Sequence, residues 1–113
     1  MLSPEIIITE ACNYFALTMP ELLRGTTRRH IHGRWIICYL LFEQSDMSTR
    51  DIGRLLDVGH KMVLKARREI LYRIDGDPAV RRAVANITAA LDAHELERLH
   101  RRIRAILGGN NDG

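Results

Sequence analysis

The chain has 113 residues, with 17 Lys and Arg against 14 Asp and Glu, for a net charge of +3. That length suits one domain of common size and is too short for a nucleotide-binding sheet domain plus a second module. Apolar residues make up 46% of the chain, enough for a core without staples, and eight glycines and three prolines are too few for a wholly disordered protein.

The charge is unevenly placed. Residues 1–23 carry −3, residues 24–73 carry +6, and residues 74–113 are neutral. A concentrated basic middle points to an anionic partner or to a solvated face with surplus arginine. Cys12 and Cys38 sit in apolar runs with no CxxC pair, which predicts buried free thiols in a reducing compartment. No apolar run approaches the roughly 18 residues of a membrane span. Met1-Leu2-Ser3-Pro4-Glu5 lacks the basic start of a secretion signal. The expectation is a cytoplasmic protein that uses no membrane.

In chain order, Ser3-Pro4 reads as an N-cap followed by a first-turn proline, opening a helix striped by Ile7, Ala11, Tyr14 and Phe15. Met19 to Leu23 reads as one helical turn, and Arg24 to Arg29 as a polar connector. Residues 34–44 are apolar almost all round, which predicts a central helix touched by several neighbours. Ser48-Thr49-Arg50-Asp51 has capping-box spacing and opens a helix with Ile52, Leu55 and Leu56 on one face. Asp57-Val58-Gly59 breaks it. His60 opens the next helix, with Val63, Ala66, Ile70 and Ile74 as its stripe. Asp77-Pro78 starts a further one, carrying Val80, Val84, Ile87 and Leu91. The stripe changes phase before Leu96, Leu99, Ile103 and Ile106, and Asp92 to Glu95 has capping-box spacing. This predicts two helices, 78–91 and 93–107, the second stopped by Gly108-Gly109 and followed by a short disordered tail from Asn110. No sustained period-2 pattern occurs. The reading is all-α with about six helices: a domain over 1–91, and an additional C-terminal helix and tail over 92–113.

The helices at 48–56 and 60–74, joined by three residues that include Gly59, have the layout of a helix-turn-helix, whose second helix enters the major groove. Lys61, Lys65, Arg68 and Tyr72 share one face of that helix, opposite its apolar stripe. His60, Lys61 and Met62 would lie at its leading end. The row fits a DNA groove, or an ordinary exposed cationic face. Connector arginines of the 24–29 type enter minor grooves or clamp phosphates, or simply stand in solvent.

Several landmarks then fall in one order. Glu10-Ala11-Cys12-Asn13-Tyr14-Phe15 is similar to an alanine–glutamate–tyrosine–tyrosine segment. Glu21-Leu22-Leu23 is similar to an aspartate–leucine–leucine turn before a basic loop. Gly33-Arg34-Trp35 through Tyr39-Leu40 is similar to an alanine–arginine–glutamine helix ending methionine–tyrosine–leucine. Ser48 through Ile52-Gly53 is similar to serine–x–x–glutamate–isoleucine–glycine, and Gly59-His60-Lys61-Met62-Val63-Leu64-Lys65-Ala66 to aspartate–histidine–threonine–threonine–valine–leucine–histidine–alanine. In these features the chain resembles the C-terminal DNA-binding domain (domain IV) of the bacterial replication initiator DnaA, from about Ile6 to Ile70. The resemblance implies a base-reading role for His60, a minor-groove arginine at Arg28 or Arg29, and a phosphate contact at Arg34. The chain departs from that pattern at Gly59, Lys61 and Met62, which lose an acceptor and two hydroxyls, and at Trp35, which replaces a glutamine. Recognition of a different site, or weaker base preference with strong salt dependence, is therefore expected.

No G-x-x-x-x-G-K-S/T phosphate loop occurs, so no nucleotide or other cofactor is expected. His30, His32, His94 and His100 lack convincing ligand spacing, so no metal is expected. No paired carboxylates or activated thiol point to an enzyme. The expectation is a bacterial or phage regulator of transcription or of replication initiation that binds double-stranded DNA through Arg28, Arg29, Arg34, His60, Lys61, Met62, Lys65 and Arg68. The alternative is a module that keeps the fold but holds a protein: the initiator, its regulator or RNA polymerase. Leu96, Leu99, Ile103 and Ile106 would pack on their own domain, or form a homodimer or partner surface.

Overall fold

Of the six helices among the described residues, five start on a side chain that accepts a first-turn N–H. The structure, a computed structural model, describes residues 2–111. Ser3 accepts from Ile6 at the start of α1 (Pro4–Phe15). Thr18 accepts from Glu21 at the start of α2 (Met19–Arg24) and returns its hydroxyl hydrogen to the Glu21 carboxylate at 3.1 Å. Thr27 accepts from His30 to open α3 (Arg28–Gln44), and Ser48 accepts from Asp51 to open α4 (Thr49–Leu56). Asp77 accepts from Ala79 and Val80 to open α6 (Pro78–Asn111). Each such cap stabilises its helix by about 1 kcal/mol. Only α5 (His60–Gly76) begins without one, at Gly59.

No strand occurs among the described residues; the β-branched run Ile6 to Thr9 lies inside α1. The most apolar segment is central, as its pattern predicts. Ile36, Ile37, Cys38, Leu40 and Leu41 of α3 are buried, and α3 packs against α1, α2, α4 and α5. That helix starts earlier than expected. Arg28 and Arg29 are its first turn rather than the end of a connector, because the Thr27 cap fixes the start and the charged side chains reach water from there.

The largest difference lies in α6. Val80, Ala83, Val84, Ile87 and Leu91 close the core against α1 and α5, as expected, but the helix does not end there. One continuous helix replaces the two expected at 78–91 and 93–107. The phase change marks a new face, not a break. At about 100° per residue, the Leu96–Ile106 stripe centres about 120° around the axis from the core-facing residues. Asp92 is exposed in mid-helix, and Gly108 also lies within α6. Of the expected tail, Asn110 and Asn111 belong to α6, while residues 112 and 113 lie outside the described residues.

Thirty-four residues make α6 about 51 Å long, so it dominates the molecular extents of 57 × 29 × 23 Å. The radius of gyration is 16.3 Å, against about 13 Å for a compact chain of this length. His94 ties α6 to α1, its Nε2 2.8 Å from Glu10 Oε1. From Glu95 to Leu107 every residue is exposed. No helix among the described residues is long and apolar enough to cross a membrane.

Candidate nucleic-acid interface

The site is built on the turn between α4 and α5. Asp57 ends α4 in the left-handed region (φ 56°), with its N–H directed at the Arg54 and Gly53 carbonyls. Val58 N–H then donates to Gly53 O at 2.8 Å. A β-carbon on Gly53 would lie 2.7 Å from Val58 O, whereas one on Gly59 would meet nothing within 4 Å. Gly53, rather than Gly59, is thus the glycine the tight turn requires, and the left-handed residue is an aspartate, which tolerates that conformation better than most.

α5 buries Val63, Ala66 and Ile70 and turns its opposite face outward. Lys61, Lys65, Arg68 and Tyr72 are all exposed along that face. Nothing from α6 covers them: Leu96 and Leu99 are themselves exposed. Two members of the leading end are less available. His60 is half-buried, and Met62 packs against the core instead of projecting outward. Arg50 and Arg54, not among the residues expected from the sequence, are both exposed on α4. Arg54 also pairs with Asp51 at 3.1 Å.

Trp35 fastens α3 to the side of α5. Lys65 Nζ lies 6.0 Å and Arg73 Cζ 5.5 Å from its ring centroid, and Arg73 also meets Glu69 at 3.2 Å. Arg67 faces the opposite flank, 4.3 Å from the Phe42 ring and 3.5 Å from Glu43.

The arginines of the basic segment divide into two sets. Arg34 does not project as a phosphate contact. Its Nη1 donates toward the carbonyls of Leu22, Leu23 and Gly25 at 3.1, 2.7 and 3.0 Å, closing the C-terminal end of α2. Arg29 donates from Nη2 to the Phe15 carbonyl at the end of α1. Both hold the basic turn in place. Arg28 is exposed, at the rim of a cleft of about 610 Å³ between α1, α3 and the start of α6. Its charge acts on His32 together with Arg73 and Asp77. Arg28 thus shares this cleft with Ala79 and Val80, where α6 begins.

His32 is buried beside Trp35, ring centroids 5.8 Å apart, and burial lowers its pKa. The His30 ring meets the Thr27 hydroxyl. Both cysteines are free thiols. Burial raises the Cys12 pKa and pushes Cys38 up to about 12, which keeps either from acting as a thiolate nucleophile near neutral pH.

No protein-family model matches the chain. Over 91 residues it is 32% identical to the chromosomal replication initiator protein DnaA of Roseiflexus castenholzii (strain DSM 13941 / HLO8), a match that covers 79% of this chain and 19% of that protein. The chain thus spans about a fifth of the length of this curated relative.

Proposed function

We propose that this chain binds double-stranded DNA as a regulator of transcription or of replication initiation, and that it acts by binding rather than as an enzyme. The α4–α5 pair serves as a helix-turn-helix. The supporting observation is the exposed row of Lys61, Lys65 and Arg68 on α5, in a chain similar over most of its length to a replication initiator.

In this reading the start of α5 enters the major groove, with Lys61 at the base edges and His60 behind it. Lys65 and Arg68 lie along the phosphates, joined by Arg50 and Arg54 from α4. Arg28 is the minor-groove arginine, because Arg29 is committed to the Phe15 carbonyl. Arg34 acts indirectly, by positioning that turn. With Gly59, Lys61 and Met62 in place of an acceptor and two hydroxyls, phosphate contact outweighs base reading.

Selection of random duplexes at about 150 mM salt tests this. Duplex binding is expected, with an affinity that falls steeply as salt rises and a salt slope that drops by about one for each of Lys61, Lys65 and Arg68 replaced by alanine. Absence of duplex binding, or binding untouched by the triple replacement, refutes it.

A further inference from the structure

Leu96, Leu99, Ile103, Ile106 and Leu107 form an aliphatic stripe on the projecting half of α6, with 53, 50, 44, 67 and 60% of their surfaces exposed. Scattered exposed aliphatics are ordinary; five on one face over about 17 Å mark a surface that another molecule covers. Nothing among the described residues of the chain's own body covers this stripe, since it lies beyond His94 and points about 120° away from the core-facing residues. The 3, 4, 3 spacing from Leu96 to Ile106 is that of a two-helix seam.

The charges along the same segment select the occupant and its direction. Asp92, Glu95 and Glu97 come first; Arg98, Arg101, Arg102 and Arg104 follow. A second copy laid antiparallel sets the acidic part of each helix against the basic part of the other. A parallel copy sets like charge against like. The residues bordering the seam make the same choice. Glu95 and Arg102 lie on one edge of the stripe, two turns apart. Antiparallel pairing brings Glu95 of each copy to Arg102 of the other and seats Leu96 against Leu99, Ile103 against Asp92 and Ile106 against Ala89. Parallel pairing would set Glu95 beside His100 and Arg102 beside Leu107. Glu97 already meets Arg101 at 3.9 Å and Arg104 at 3.4 Å within its own helix.

We infer that the projecting half of α6 is a homodimer interface in which two copies pair antiparallel about Leu96 and Leu99, with Ile103 and Ile106 of each copy laid along Asp92 and Ala89 of the other, flanked by two symmetry-related Glu95–Arg102 ion pairs. This inference goes beyond the DNA-binding reading and does not depend on it.

Sedimentation of the full chain over a concentration series tests the pairing. The mass is expected to rise with concentration toward twice the 13.0 kDa of one chain. The double variant Leu99→Glu, Ile103→Glu is expected to stay monomeric while keeping the unfolding transition of the body, since both sites are solvent-exposed. Glu95→Arg and Arg102→Glu are each expected to weaken the dimer about five- to tenfold, because two pairs turn repulsive at once, and their combination to restore it to within about twofold. A chain that stays monomeric to about 0.5 mM, or a dimer that survives Leu99→Glu, Ile103→Glu, overturns the interface. A charge-swapped double variant no tighter than either single variant overturns the antiparallel arrangement.

Discussion

Val58 folds back over Gly53 so closely that its carbonyl oxygen occupies the space of a side chain. A β-carbon on Gly53 would stand 2.7 Å from that oxygen, and the 2.8 Å bond from Val58 N–H to Gly53 O leaves little slack. The geometry between α4 and α5, and with it the placement of His60 and Lys61, rests on this contact.

Gly53→Ala is therefore expected to destabilise the chain by about 1–3 kcal/mol and to lower duplex affinity together with stability. Gly59→Ala meets no such neighbour and is expected to stay within about 0.5 kcal/mol of wild type. Urea denaturation of the two variants checks the contrast. Equal costs would show that the turn does not depend on the close approach.

Arg34 separates a structural arginine from a DNA contact. Its three carbonyl partners are part-buried, so Arg34→Ala is expected to cost about 2 kcal/mol in the absence of any nucleic acid. Arg34→Lys should recover only part of this, because a lysine ammonium on its shorter chain stops short of the position of Nη1. An unchanged denaturation midpoint for Arg34→Ala would refute the structural role.

Arg28 and Arg29 are adjacent but differ in role. Arg29→Ala removes the donor to the Phe15 carbonyl and is expected to lower stability by about 1 kcal/mol. Arg28→Ala is expected to leave stability within about 0.5 kcal/mol while weakening duplex binding and reducing its salt slope by about one. Thermal unfolding paired with salt titrations distinguishes them; the reverse pattern would exchange the assignments.

His32 makes stability depend on pH. Burial lowers its pKa; Asp77 opposes this, while Arg73 and Arg28 add to it. The unfolded chain takes up the proton first, at the ordinary value of about 6.5. The contribution is fully present above that value and is lost as pH falls from it through the folded value. Chemical denaturation at about pH 7 and about pH 5 is expected to show a loss for wild type that is smaller in His32→Gln. The same loss in both would assign it to other groups.

Cys38 is fully buried, with its thiol held protonated up to about pH 12. An aromatic disulfide reagent near neutral pH is expected to label Cys12 slowly and Cys38 only at the rate of unfolding. Labelling of both at one rate would contradict the packing of α3.

What the sequence by itself determined is local. Ser3, Ser48 and Asp77 open helices because a cap needs only a side chain and the N–H groups two or three residues on. Residues 34–44 declare a central helix because an all-round apolar helix must be covered on every side, and Lys61, Lys65 and Arg68 share a face because helical spacing alone puts them there. The tertiary structure decided what depends on distant partners. Arg29 and Arg34 are engaged by carbonyls 9 to 14 residues away, which no local pattern encodes. Gly53 rather than Gly59 is the needed glycine because the path of the following turn chooses which residue is approached. At Leu96 the pattern records a change of face but cannot distinguish a helix that ends from one that continues. Only the packing of Leu91 and His94 against the body, and the lack of anything beside Leu96 to Ile106, shows a continuous helix whose second stripe faces away from its own core.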